Sequence, residues 1–215
     1  MKKIAVVLSG NGVYDGAEIH ESTLTLLAIA RKGAKYQCFA PDVDQAHVVN
    51  HITGEEMDEK RNVLVEAARI ARGDIKPLSE YKAEDFDAIV FPGGFGAAKN
   101  LCTFAFDGAD CTVNPDVEKA VRSTVVAEKP IGALCISPVF IAKILGDVKV
   151  TIGQDEGTWQ AIEKMGGAHE KTFQGEIVID EKYKVITTPC YMLDATIDQI
   201  ADGAERVVDK ILEMI

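Results

Sequence analysis

A chain of 215 residues with 47% apolar side chains can bury one substantial core without help from disulfides. Its 34 acidic against 23 basic residues leave a net charge of −11, which argues against nucleic acid or an anionic membrane as partner, since both are bound by clustered Lys and Arg. The five cysteines (Cys38, Cys102, Cys111, Cys135 and Cys190) form no CxxC pair, so a zinc ribbon or a dithiol redox motif is not expected, and no metal is implied.

The chain opens with Lys2-Lys3 and the apolar run Ile4–Leu8, too short for the core of a signal peptide. The uncharged stretch from Pro130 to Ala142 has 13 residues, with a serine and two prolines, and cannot cross a bilayer. These features lead to the expectation of a soluble, cytoplasmic protein with reduced thiols.

In chain order, Ile4–Leu8 reads as a strand, Ala17–Lys32 as a helix and Tyr36–Phe39 as a strand. Residues 42–84 then exceed an ordinary crossover and contain a charged helical pattern over Glu55–Arg72. An excursion over the sheet's carboxyl edge, or a dimer surface, is expected there. Next come a strand at Ala88–Phe91, a helix at Asp116–Ala127, a strand at Ile131–Leu134, a helix at Ser137–Leu145, a strand at Val148–Ile152 and a helix at Thr158–Met165. Glu176–Ile179 and Val185–Thr188 should form a hairpin turning at Asp180–Tyr183. The last helix, Ala195–Met214, shows an apolar stripe at helical spacing through Ile197, Ile200, Ala204, Val207, Val208 and Ile211. Strands without polar alternation, separated by helices, imply one α/β domain over residues 1–215 with a mainly parallel sheet buried on both faces.

In such folds the active site lies beyond the carboxyl ends of the strands. Three loops there are unusual: Ser9–Gly16, Pro92–Gly96 and Leu134–Pro138. Cys135 sits directly between a strand and a helix whose first turn carries Pro138. That pattern is a nucleophile elbow, with the thiol exposed at a helix N-terminus whose N–H groups should favour the thiolate. Gly93 and Gly94 let the neighbouring turn present amides, so the N–H groups of Gly94 and Ile136 form a candidate oxyanion hole. Glu18 opens the first helix on the same sheet edge and is the candidate proton carrier. Its other possible task is complementing the helix dipole. His20 is a possible auxiliary, although it lies about 200° around a helix from Glu18. Glu21, His47 and His51 are further candidates, and His169 looks peripheral. Thr188–Tyr191 could border the same pocket.

Two other function classes compete. Gly10, Gly12 and Gly16 after the first strand, with Asp42 beyond the second, approximate a dinucleotide-binding fingerprint. The spacing is GxGxxxG instead of GxGxxG, and Tyr14-Asp15 would crowd a pyrophosphate with bulk and negative charge. A cysteine-based redox sensor or binding protein acting through Cys135 without turnover is the second alternative.

The blocks LSGNGVYDGAEIHE, NHITGE, RNVLVEAARIARG, PGGFGAAKNL, CTVN, ALCISP, TIG and TTPCYML resemble the ElbB glyoxalase-like family, within the PfpI/deglycase superfamily of the class I glutamine-amidotransferase-like fold. The resemblance runs from Met1 to the final helix. It implies a flavodoxin-like three-layer sandwich, a nucleophile at Cys135 and a glutamate, matched to Glu18, hydrogen-bonded to it. It further implies action on glyoxal-type dicarbonyls, deglycase activity, an association with isoprenoid biosynthesis and a homodimer, with no cofactor. Hydrolytic relatives often place a histidine after the nucleophile, where this chain has Ile136. Peptidase activity is therefore not expected.

The expected reaction is a glutathione-independent, lyase-type conversion of glyoxal or methylglyoxal to the 2-hydroxy acid. Cys135 adds to the aldehyde, Gly94 and Ile136 hold the oxyanion, and Glu18 moves a proton between the two carbons.

Overall fold

A computed structural model describes all residues from 1 to 215. Nine strands and eight helices alternate along it. They are β1 (Lys3–Val7), α1 (Ile19–Arg31), β2 (Lys35–Ala40), α2 (Val63–Ile70), β3 (Ile75–Pro77), β4 (Ala88–Phe91), α3 (Phe95–Lys99), α4 (Phe104–Asp107), α5 (Pro115–Val126), β5 (Ile131–Leu134), α6 (Pro138–Leu145), β6 (Lys149–Val150), α7 (Glu156–Lys164), β7 (Ala168–His169), β8 (Val178–Asp180), β9 (Val185–Thr188) and α8 (Ile197–Glu213). Seven strands form one sheet in the order β3-β2-β1-β4-β5-β9-β8, parallel except for β8. The expected α/β sandwich with a mainly parallel sheet is the fold found.

Side chains alternate across each strand, so every core strand feeds two apolar layers. Ala5, Val7, Phe39, Ile89, Phe91, Ile131 and Ala133 pack on one face with Val117 and Val121 of α5 and Val139 and Phe140 of α6. Ile4, Val6, Leu8, Cys38, Val90, Leu134 and Ile186 pack on the other with Ile29 of α1 and Ile200, Val207 and Ile211 of α8. A Cβ at Gly132 would lie 2.9 Å from Val207 and 3.1 Å from Ile211, so the missing side chain lets α8 seat on β5. Thr196 and Gln199 close a capping box at the start of α8. No helix is long and apolar enough to cross a membrane.

The hairpin of β8 and β9 forms as expected, but the expected strand at Val148–Ile152 does not enter the main sheet. Only Lys149–Val150 is extended, paired with Ala168–His169 in a separate two-stranded ladder. The reason is topological: β8 already occupies the outer edge of β9, leaving Thr151 to donate its N–H to the Thr187 hydroxyl (2.9 Å).

The helix expected over Glu55–Arg72 shortens to α2, which starts where Asn62 caps it by accepting from Val65 N–H at 3.0 Å. Residues before it fold back over the carboxyl edge of the sheet. Val49 N–H reaches Asp15 (2.7 Å) and Ala46 N–H reaches Asn100 (2.9 Å). The excursion therefore braces the first glycine-rich loop. It returns through the short edge strand β3, ending at Pro77, a residue tolerated at a sheet edge.

Candidate active site

Cys135 follows the last residue of β5 with φ at +59°, a left-handed conformation that costs a non-glycine residue on the order of 1–3 kcal/mol. The strain is locked in from three sides. Cys135 N–H donates to Thr188 O (2.9 Å), Ser137 N–H to Leu134 O (3.0 Å) and the Ser137 hydroxyl to Pro92 O (2.9 Å). Pro138 then starts α6. The elbow read from the sequence is present, with the thiol at the base of a cavity of about 410 Å³ and only 7% of the residue exposed.

Gly94 and Ile136, the residues of the expected oxyanion hole, line the same cavity as Cys135, and their backbone N–H groups act to lower the pKa of its thiol. Gly93 lies directly against it: a Cβ there would come within 2.4 Å of the Cys135 Cβ and 2.7 Å of a Glu21 oxygen. Gly94 has φ at +96°, and a Cβ would meet Glu18 N at 2.4 Å. Glycine is needed at both positions.

The carboxyl that meets the thiol belongs to Glu21, correcting the expectation that placed Glu18 there. Glu21 is fully buried, and its carboxyl and the Cys135 sulfur flank Gly93 from two sides, 2.7 and 3.0 Å from where a Cβ would stand. That carboxyl accepts N–H bonds from Gly93 (2.9 Å) and Tyr191 (3.3 Å). Glu18 instead caps α1, its Oε2 accepting the Glu21 N–H at 2.7 Å, while its own N–H binds Gly93 O (2.9 Å). It still lines the cavity with Cys135. The physical reason is helical: a cap residue must turn its oxygen back onto the first turn, and the residue three further on takes the same face one turn deeper.

Burial pushes the Glu21 carboxyl up to about 8, helped by the charge of Glu18 and opposed by the neighbouring Cys135 and by the Tyr191 and Gly93 N–H groups. Burial and the Glu21 charge raise the Cys135 thiol well above its ordinary value, against the Gly94 and Ile136 amides. Burial thus works against the thiolate that the elbow position favours. Dehydration outweighs the helix N-terminus here.

Exposed His20 does not reach the thiol; its Nδ1 pairs with the Tyr191 hydroxyl at 2.8 Å on the rim. His47 packs edge-on against Phe106. Nε2 of His51 accepts Tyr14 N–H (3.2 Å). His169 stacks on Trp159, away from the site. Tyr191 lines the cavity as anticipated for Thr188–Tyr191, joined by Phe95, Phe104, Asp155, Thr158 and Met192. Phe95 belongs to the Pro92–Gly96 loop, whereas Phe104, Asp155, Thr158 and Met192 carry no signal in the sequence, because they reach the cavity from α4, the start of α7 and the turn after β9. The dinucleotide reading loses its basis in the loop itself. Gly12 and Gly16 spend their N–H groups on Ala17 O (2.9 Å) and Gly12 O (2.7 Å), and Asp42 is engaged by Asn62 (2.8 Å).

No family profile matches the chain. It is 48% identical over 222 residues to glutamine amidotransferase-like class 1 domain-containing protein 3, mitochondrial, of Homo sapiens, covering 99% of this chain and 83% of that one. It is 47% identical to the ES1 protein homolog, mitochondrial, of Rattus norvegicus, covering 99% and 84%. The crystal structure of an isoprenoid biosynthesis protein with amidotransferase-like domain from Ehrlichia chaffeensis superposes with a TM-score of 0.93 at 37% identity, over 100% of this chain and 99% of that one. Glyoxalase III from Candida albicans shares the fold, with a TM-score of 0.65 at 15% identity over 100% and 97% of the two chains.

The human and rat relatives, with an ES1 protein of Danio rerio, are named as mitochondrial, which overturns the cytoplasmic expectation. That expectation rested on a short apolar run and a lack of paired cysteines, neither of which specifies a compartment.

Proposed function

The chain belongs to the ES1 family of glutamine amidotransferase-like class 1 proteins, and from that premise we propose that it is an ElbB-type, glutathione-independent glyoxalase. It converts glyoxal or methylglyoxal to the 2-hydroxy acid by nucleophilic catalysis at Cys135. The observation that carries the reading is the Glu21 carboxyl buried beside the Cys135 thiol, beneath a cavity that Gly94 and Ile136 also line.

The ionised form of Glu21 accepts the thiol proton as the sulfur bonds to the aldehyde carbon, so no free thiolate has to persist in the dry site. The Gly94 and Ile136 amides take the charge that moves onto the carbonyl oxygen. Glu21 returns that proton to the oxyanion, giving the hemithioacetal, and, ionised again, moves a proton from the hemithioacetal carbon to its neighbour through an enediol, leaving a thioester. Water cleaves the thioester to release the 2-hydroxy acid and restore the thiol. Glu18, at the cavity wall, is placed to assist the transfer. The sum is dicarbonyl plus water giving 2-hydroxy acid, with no external oxidant or cofactor.

The cavity wall is mainly apolar, with Glu18 and Asp155 but no Lys or Arg. Neutral dicarbonyls suit it better than anionic ones, which would find no counter-charge. Its volume exceeds what glyoxal fills, leaving room for the larger adducts of a deglycase reaction. The same proposal includes a homodimer, whose mass in solution light scattering measures directly.

The deciding experiment follows methylglyoxal conversion to lactate in thiol-free buffer, comparing the wild type with Cys135→Ala. Turnover by the wild type and none by the variant is expected. Equal turnover by both would overturn the mechanism.

A further inference from the structure

Cys102 and Cys111 are separated by eight residues in sequence, a spacing that matches no redox motif, and the fold brings them together. Residues 101–103 and 112–114 form a short antiparallel ladder: Thr103 N–H donates to Thr112 O (2.9 Å), Asn114 N–H to Leu101 O (2.9 Å), and Cys102 bridges Val113. The Thr103 hydroxyl accepts Thr112 N–H at 2.9 Å. Cys102 and Cys111 stand diagonally on the same face of this ladder, since Cys111 lies two residues before Val113, the partner of Cys102. The Cys102 thiol donates to Ala97 O at 3.3 Å.

The two thiols are not equivalent. Lys143 of α6 reaches over the loop to Ala109 O (2.9 Å), and the neighbouring Cys102 together with the Lys143 charge lowers the Cys111 thiol below its ordinary value. Cys102 lies in the opposite direction, well above its ordinary value. A nucleophilic thiol beside a protonated one is the arrangement in which the first reacts and the second resolves. Both residues are almost fully buried (1% and 3% exposed), which favours a small oxidant over a bulky electrophile.

We propose that Cys102 and Cys111 form a peroxide-reactive dithiol, separate from the Cys135 site, that closes to an intramolecular disulfide. The Cys111 sulfur attacks hydrogen peroxide, forming an S–O bond and breaking the O–O bond, with one water released. The Cys102 thiol attacks the resulting sulfenic acid, forming the S–S bond and releasing a second water. Two thiols are oxidised and the peroxide is reduced to two waters. The bond would fasten the base of the segment that carries Phe104 and Ala105, which form part of the cavity wall above Cys135.

Both cysteines fall in a single tryptic peptide, residues 100–119, which contains no other cysteine. Folded protein is treated with a small molar excess of hydrogen peroxide, alkylated in denaturant and digested. The expected result is that this peptide escapes alkylation and is about 2 Da lighter than its reduced form. The same is expected in the Cys135→Ala variant. Cys102→Ser should instead leave a sulfenic acid on Cys111, which dimedone captures when it is added together with the denaturant. A fully alkylated 100–119 peptide in treated wild-type protein would overturn the proposal. So would loss of the disulfide in Cys135→Ala, since the oxidation would then start at the catalytic thiol.

Discussion

The Glu21 carboxyl, fully buried on α1, and the Cys135 thiol at the end of β5 flank Gly93 from two sides, and burial disfavours the charged form of each. The Gly93 and Tyr191 N–H groups hold that carboxyl in place. The pair is a proton donor and acceptor in a dry site, primed to ionise only as a substrate carbonyl takes up the charge.

Glu21→Gln keeps the shape and one acceptor oxygen but cannot take the thiol proton. Methylglyoxal turnover should fall by about 10²-fold or more, measured as lactate formed. A carboxyl whose pKa is higher folded than unfolded stabilises the fold at low pH. That stability is lost as pH rises from 4.5 towards about 8. In chemical denaturation between pH 5 and 8, the wild type should therefore lose stability that Glu21→Gln retains.

Glu18→Gln separates the two glutamates. Its amide oxygen can still cap α1, while the negative charge that helps raise Glu21 is gone. The rising limb of the pH–rate profile should move to lower pH, with turnover at its plateau largely kept. A loss as large as that of Glu21→Gln would restore Glu18 as the principal proton carrier.

Gly93→Ala drives a methyl group into the space between Cys135 and Glu21. The fold should lose about 1–3 kcal/mol by overpacking, and the thiol–carboxyl contact should open. Thermal unfolding measures the first effect, and the rate of Cys135 alkylation should change with the second.

His20→Ala tests the auxiliary histidine. The ring is exposed and bound to the Tyr191 hydroxyl, whereas the Tyr191 contact to Glu21 is made by the backbone. Stability should change by no more than about 0.5 kcal/mol, and kcat should stay within roughly a factor of two. A tenfold or greater loss of kcat at unchanged KM would give His20 a part in proton transfer.

Much of the architecture is legible because it is written locally. Apolar runs mark β1, β4, β5 and β9, and the i, i+3, i+4 stripe marks α8. Strand followed directly by a Pro-started helix identifies the elbow at Cys135, since those few residues alone set the bend. The irregular segment over residues 42–62 is less legible, since its path depends on Asp15 and Asn100 from other loops. The strand expected at Val148–Ile152 failed for a related reason. Its residues suit an extended chain, but the place beside β9 was already taken by β8.

By itself the sequence determined the α/β class, the parallel core, the sharp bend at Cys135 and the glycines around it, because periodicity and turn chemistry act within a few residues. Only the tertiary structure decided which glutamate is buried beside the thiol, that burial raises both groups, and that Cys102 and Cys111 share one face of a ladder. The physical reason is that burial sets the ionisation of these groups. Burial at Glu21 is made by Gly93 on one loop and Tyr191 on another, brought together only when β4, β5 and β9 have paired.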